Sequence, residues 1–309
     1  MVKKVWIILL LSLLLLGCSG EKSEKIKVGI LPIEDSLPLV VAEEEGMFAK
    51  HGLDVEIVSF NSALERDAAL MAGEVDAVIT DPLAVILLRD KGYDVRIVSI
   101  CLGKNPNEGV FAILAAPNST INTVRDLDGK KIAISSNTII EYVTDVMLAK
   151  YGINYTKVEI KQIPVRMRTL LDGKVDAATL PEPLASFAVS QGAKLVLSDA
   201  MENESITQTV IAFRGDFVDH RKDELKEFMK AYEEAVKAIN SDKEKYRQKF
   251  IDIARVPEKI ADSYPMPDYP PPETFPKKFY SRYLNWAIEK GLIEKEIAYE
   301  DAVETYDFS

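Results

Sequence analysis

The feature that most constrains this chain is an internal repeat. At a spacing of one hundred residues, Ala49, Lys50 and Gly52 match Ala149, Lys150 and Gly152. Arg66, Leu70, Gly73, Val75, Asp76 and Ala77 match Arg166, Leu170, Gly173, Val175, Asp176 and Ala177. One inserted residue later, Pro82-Leu83-Ala84 matches Pro183-Leu184-Ala185. Self-similarity at a fixed period points to a duplicated structural unit, here two similar lobes. The alternative is a pair of generic βαβ pieces.

Each unit reads as α/β. Ile26–Leu31 is strand-like, and Pro38–Lys50 has helical spacing and stops at His51-Gly52. Strands are predicted at 55–58, 75–79 and 95–100, with helices at 63–72 and 83–91 closed by Gly73 and Gly92. The order restarts near residue 131: strand 131–135, helix 140–150, strand 158–163, helix 165–171, strand 175–180, helix 184–191. Strands alternating with helices through short loops imply mostly parallel, doubly wound sheets. Beyond residue 220, Asp223–Asn240 carries Leu225, Phe228, Met229, Tyr232, Val236 and Ile239 on one stripe, which reads as ordinary core packing. Ser241–Ala254 continues helically, Tyr264–Pro276 is a Pro-rich extended loop, and Phe279–Lys290 is helical with Tyr283, Trp286 and Ala287 inward.

Composition removes several classes. A net charge of −11 repels phosphate backbones, so no nucleic-acid partner is expected. Two Cys and two His argue against a disulfide scaffold, a zinc finger or an iron–sulfur protein, and no metal or cofactor site is expected. Cys101 follows an apolar strand and reads as a buried structural thiol. His51 sits at a helix end and His220 in a charged run, neither with metal-like neighbours.

The first residues read as an address. Lys3 and Lys4 precede an apolar run, Val5–Leu16, interrupted only by Ser12; it is short for a membrane span and has the length of a signal-peptide core. It ends at Leu15-Leu16-Gly17-Cys18, which resembles a lipoprotein lipobox. That resemblance implies removal of residues 1–17, a lipid on Cys18 and a tether over 18–25; the alternative is an anchor helix with a chance Cys.

Two α/β lobes whose strand ends face one another make a cleft lined by post-strand loops and helix N-termini. The segments after the strands supply the candidates: Glu34, Asp35 and Ser36, Asn61 and Ser62, and Thr80 and Asp81 in the first unit. In the second they are Ser135, Ser136, Asn137, Thr138 and Glu182. Asp81 and Glu182 each precede a Pro at equivalent strand ends. As carboxylates they favour amino, amide or cationic ligand groups; as helix caps they would be purely structural. Ser135–Thr138 suits a phosphate, sulfonate or carboxylate, or plain capping. Arg66 and Arg166 fall inside helices, where a solvent-exposed or interlobe role is expected over an anion contact. Tyr142 and Phe111 could stack on a ring, with core packing the more ordinary role.

Several segments resemble the solute-binding lipoproteins of ABC importers, in the nitrate/taurine/sulfonate and thiamine-pyrimidine (SsuA/ThiY-like) group. They are Glu45-Gly46-Met47-Phe48 with His51-Gly52-Leu53-Asp54-Val55, Ala72-Gly73-Glu74-Val75-Asp76-Ala77, Leu127-Asp128-Gly129-Lys130-Lys131-Ile132-Ala133, and Asp172-Gly173-Lys174-Val175-Asp176-Ala177 with Pro181-Glu182-Pro183. The resemblance runs from about Lys27 to about Tyr299. It implies a type II periplasmic-binding fold with a cleft and a hinge. Residues 26–103 and 210–309 would form lobe one and 104–209 lobe two, with hinge strands near 100–104 and 205–209. It further implies capture of a small solute for a permease outside the cytoplasm, with no chemistry performed on it. The competing readings are an enzyme of the same fold in thiamine-pyrimidine or menaquinone biosynthesis, and a sensory binding module. The lipid signal and the lack of a His/Cys constellation count against the enzyme.

Overall fold

The computed structural model describes residues 24–305. The signal peptide, Cys18 and most of the tether read from the sequence lie outside them.

Ten strands form two five-stranded sheets of the same design. They are β1 (Ile26–Ile30), β2 (Val55–Ser59), β3 (Ala77–Thr80), β4 (Val95–Leu102), β5 (Phe111–Ala115), β6 (Lys131–Ile134), β7 (Thr156–Glu159), β8 (Ala177–Pro181), β9 (Lys194–Ser198) and β10 (Thr209–Arg214). The first sheet runs β2-β1-β3-β10-β4 and the second β7-β6-β8-β5-β9. β1 pairs in parallel with β2 and β3, and β6 with β7 and β8. The fourth strand of each sheet is antiparallel to both neighbours, and it is the strand the chain enters from the other sheet. The chain therefore crosses between the sheets twice, between β4 and β5 and between β9 and β10. The result is a two-lobed α/β molecule with helices packed on mixed sheets.

The repeated residues do the same physical work in both halves. Asp76 Oδ2 accepts the Lys27 backbone N–H at 2.9 Å, and Asp176 Oδ2 accepts that of Lys131 at 2.8 Å, each clamping the start of a strand to its neighbour. The helix Ala63–Ala72 ends at Gly73 (φ 73°), and the helix Ile163–Leu171 runs into Gly173 (φ 67°). Gly73 N–H bonds Leu70 O and Glu74 N–H bonds Ala69 O; Gly173 and Lys174 bond Leu170 O and Thr169 O in the same way. The left-handed turn lets the last carbonyls find donors, which is why glycine recurs there.

Several expected elements differ. Pro38–Lys50 is two helices, Leu37–Glu44 and Met47–Lys50, because Gly46 stands at φ 70° between them. The helical run from 223 breaks at Asp242, which ends Lys222–Ser241 and caps Lys243–Ile253 through a 3.2 Å bond from Lys245 N–H. Strands β5 and β9 are not read from the sequence at all. Phe-Ala-Ile-Leu-Ala is a wholly buried run without alternation, so it carries no period to read.

The helix Lys222–Ser241 buries the stripe expected of it, with Leu225, Phe228, Tyr232 and Ile239 fully covered. It packs on Leu37–Glu44 and Met47–Lys50, where Phe228 stacks on Phe48 at 4.8 Å. The Pro-rich 264–276 segment is extended and held by Asn240, whose side chain bonds both the N–H and the C=O of Tyr269. The helix Lys277–Glu289 puts Tyr283 against Tyr142 of the helix Ile139–Ala149 (4.4 Å, stacked) and Trp286 edge-on to the same ring at 5.6 Å. Tyr142 is therefore core, as is Phe111 at the start of β5.

Candidate ligand-binding cleft

The carboxyl ends of β1, β3 and β8 each deliver an acid. Glu34 and Asp35 lie in the short turn Glu34–Ser36 after β1. Asp81 follows β3 and Glu182 follows β8.

Glu34 bonds the Tyr264 hydroxyl through Oε1, and its backbone carbonyl accepts from Tyr269 Oη at 2.8 Å. Burial pushes its carboxyl up to about 8, against the Tyr264 hydrogen bond and with help from the negative charges of Glu182 and Asp35. Asp35 is fully buried, and loss of water raises it to about 6. Ser36 spends its hydroxyl on Leu31 O at 2.8 Å. Glu182 accepts from Ser186 N–H (3.1 Å) and Oγ (3.0 Å), and burial raises its pKa, with the charge of Asp199 adding to the shift. Asp81 caps the helix Pro82–Asp90 through Ala84 N–H at 2.9 Å, and burial raises it too. The capping reading of Asp81 is thus realised.

Glu34 and Glu182 come from different sheets yet lie close enough for one charge to act on the other, and Tyr264 feels both. Tyr283 lies within the influence of Asp81 and Asp199. Lys259 Nζ bonds Ser190 O at 2.6 Å, and the same sides of the molecule meet there. Glu34 and Glu182 thus lie near one another beside Tyr264, while Tyr269 and Tyr283 are buried. Carboxyl groups so placed can accept hydrogen bonds from donor-bearing groups.

The other candidates divide. Thr80 Oγ1 accepts from Arg66 Nη2 at 2.7 Å, beside Asp81. Ser62 caps its helix by accepting from Glu65 N–H at 3.2 Å, and exposed Asn61 bonds Glu65 Oε2 through its backbone. In the second lobe, Ser136 gives both its N–H and its hydroxyl to Glu159. Thr138 accepts from Ile140 N–H, and Asn137, at φ 60°, bonds Glu141 through its N–H. Ser135 is buried beside them.

Of the solvent-exposed or interlobe roles expected for Arg66 and Arg166, exposure is ruled out: they are buried, at 3% and 0%. Long guanidinium stems run under the post-strand loops and find backbone carbonyls there, Ile79 O for Arg66 and Ile160 O for Arg166. Cys101 is buried, and loss of water pushes its thiol well up. His51 bridges Glu227 and Glu234 at 2.7 and 3.0 Å, and His220 bonds Asp216 O. Among the described residues, no group of three or more His, Cys, Asp or Glu could hold a metal, and no helix is long and apolar enough to cross a membrane.

Sequence reasoning missed Tyr264, Tyr269 and Asp199. Asp199 accepts from Val110 N–H (3.2 Å), Phe111 N–H (3.1 Å) and the Thr207 hydroxyl. The crossing strands touch at Gly103, whose carbonyl accepts from Gln208 Nε2 at 3.2 Å while Tyr283 Oη bonds Gln208 Oε1 at 3.0 Å. The one signal for the tyrosines was aromatics inside a Pro-rich segment, which has no reason to carry them unless it is packed down.

Two lobes with this strand order, joined by two crossings around an inter-lobe cleft, define the periplasmic binding proteins. An aliphatic sulphonate binding protein of Escherichia coli, SsuA, superposes with a TM-score of 0.78 over 91% of this chain and 97% of that one, at 19% identity. A Brachyspira hyodysenteriae protein named for ABC-transporter periplasmic binding is 26% identical over 251 residues, covering 74% of this chain and 71% of its own. A Bacillus subtilis protein named for binding aliphatic sulfonates is 25% identical over 258 residues, covering 80% and 75%. The chain is an extracytoplasmic solute-binding component of the ABC-importer type. It belongs to the NlpA lipoprotein family, whose model matches residues 26–254.

Proposed function

We propose that this protein captures a small polar solute bearing amino, amide or cationic groups, holds it on Glu34, Asp81 and Glu182, and hands it unaltered to an ABC permease. Residues 26–103 and 210–309 act as lobe one and 104–209 as lobe two. Asp35, Ser36, Asn61, Ser62, Thr80 and Ser135–Thr138 complete the candidate walls. A lipid on Cys18, after removal of residues 1–17, tethers the protein through residues 18–25.

The observation that carries this reading is the approach of Glu34 and Glu182 from opposite lobes. Burial leaves both carboxyls short of water and holds a proton on Glu34 up to about 8. A solute that donates to both supplies the partners that burial denies them and binds the closed form better, so it shifts the population toward closure. Movement falls on the two crossings, where Gly103 meets Thr207 and Gln208. The Bacillus and Escherichia proteins named for sulfonates favour a small solute as cargo but leave its basic end to be found.

Isothermal titration of the purified protein against thiamine precursors, riboflavin, taurine and nitrate tests this. A donor-bearing solute should bind, and Glu34→Gln and Glu182→Gln should each weaken it about tenfold or more, as expected for a lost charged hydrogen bond. Tight binding of nitrate or sulfate with no donor-bearing solute bound overturns it.

A further inference from the structure

The two repeated arginines are equivalent in sequence and unequal in partners. Arg66 is saturated: Nη1 donates to Ile79 O (2.8 Å), Nη2 to Thr80 Oγ1 and Asp67 Oδ1 (both 2.7 Å), and Nε to Asp67 Oδ1 (2.9 Å). Arg166 donates once, through Nη1 to Ile160 O at 2.9 Å. Its Nε and Nη2 have no partner among the described residues, although the side chain is 0% exposed. The cause is visible in the repeat. Where the first half has Asp67, the second has Met167, and where it has Thr80, the second has Leu180 followed by an inserted Pro181. A buried guanidinium without a counter-charge is costly, and its donors are normally used.

Its surroundings show what would use them. Ile160 N–H bonds Ile134 O, so the Arg166 head lies at the carboxyl ends of β6 and β7, where the chain turns into Ser135–Thr138. Ser135 is buried there, and its backbone carbonyl accepts from the Thr138 hydroxyl at 2.7 Å. Glu159 is the carboxylate near enough to act on Arg166, but it is engaged by the Ser136 N–H and hydroxyl. Burial brings the guanidinium down to about 10, which leaves it protonated at neutral pH.

We propose that Arg166, through Nε and Nη2, forms an oxyanion subsite in lobe two with Ser135, taking the sulfonate, carboxylate or phosphate group of the solute. This rests on the cleft reading above and deepens it: with carboxyls after β1, β3 and β8 and a spare guanidinium at the ends of β6 and β7, the cargo is zwitterionic. Two adjacent N–H groups on one edge of a guanidinium match two oxygens of such a group.

The test uses thermal protection of the mature protein by methanesulfonate, acetate or inorganic phosphate, exchanged for chloride at constant ionic strength. The three arms distinguish the anion class. At least one should protect wild type saturably. Arg166→Gln should lower its apparent affinity about ten- to a hundredfold. Met167→Asp should do the same by supplying the internal carboxylate that Asp67 gives Arg66; it carries the test if Arg166→Gln fails to fold. Equal protection of all three proteins, or protection of none, overturns the subsite. An amine-bearing solute that binds wild type and both variants alike, with no oxyanion protection, sinks this inference and leaves the carboxylate reading standing. Oxyanion protection lost in the variants, with no donor-bearing solute bound, does the reverse.

Discussion

The two halves of this molecule are copies in topology and opposites in how they handle charge. Around Arg66 the first half closes its electrostatics internally, with Asp67, Thr80 and a backbone carbonyl consuming the guanidinium. Around Arg166 the second half leaves them open. The acids diverge as well. Asp81 is tied into a helix cap, whereas Glu182 leans on Ser186 and Glu34 on a tyrosine from a distant loop. A duplicated scaffold preserves the residues that build strands and end helices; the copies disagree at the residues proposed to bind.

The largest effect should come from the arginines themselves. Arg66→Met leaves Asp67 and Thr80 without their buried partner and should cost about 3–5 kcal/mol. Arg166→Met removes a charge with no ion-pair partner among the described residues and should be neutral or stabilising. Chemical denaturation of the two variants side by side reads this, and equal losses would break the comparison.

The seam between the halves comes next. Gly103 stands at φ 84°, and a Cβ there would fall 2.0 Å from Thr207 O. Gly103→Ala must push the two crossing strands apart, and roughly 2–4 kcal/mol of destabilisation follows from backbone displacement plus a left-handed alanine. Small-angle scattering should show a more open molecule, and an unchanged profile and melting curve would count against a tight crossing.

How much of this was legible beforehand follows from what the repeat encodes. Asp76/Asp176 and Gly73/Gly173 recur because a strand clamp and a left-handed helix end each need one residue type, so the matching α/β units could be read directly. β5 escaped because a fully buried strand has no alternation. The acids after the strands were found by topology: ligands gather at strand ends. Tyr264 and Tyr269 were not, since a loop that returns across more than two hundred residues leaves no local pattern. The burial of Arg66 and Arg166 was missed because helical position alone does not say that a stem passes beneath a loop to a carbonyl.

Glu34 gives a pH test of the acidic wall. Its folded carboxyl sits at about 8 against an ordinary 4.5, so the folded protein holds the proton more tightly than the unfolded chain. That contribution is complete below about pH 4.5 and is lost as pH rises through about 8. The melting temperature should fall by several degrees between pH 5 and 9, and Glu34→Gln should flatten the decline. A wild-type curve that rises over this range would place the carboxyl in water.

The smallest effect measures the symmetry itself. Asp76 and Asp176 accept one strand-initial N–H each, at 2.9 and 2.8 Å, from Lys27 and Lys131. Both bonds are exposed at their edges, so Asp76→Ala and Asp176→Ala should each cost about 1 kcal/mol. Equal losses in urea would mean that the scaffold is duplicated in energy as well as in shape, and that divergence is confined to the arginines and the acids. If one exceeded the other by more than about 1 kcal/mol, beyond the spread for a single such bond, the strand clamp would belong to the divergent part too, and the contrast between Arg66 and Arg166 would lose its reference.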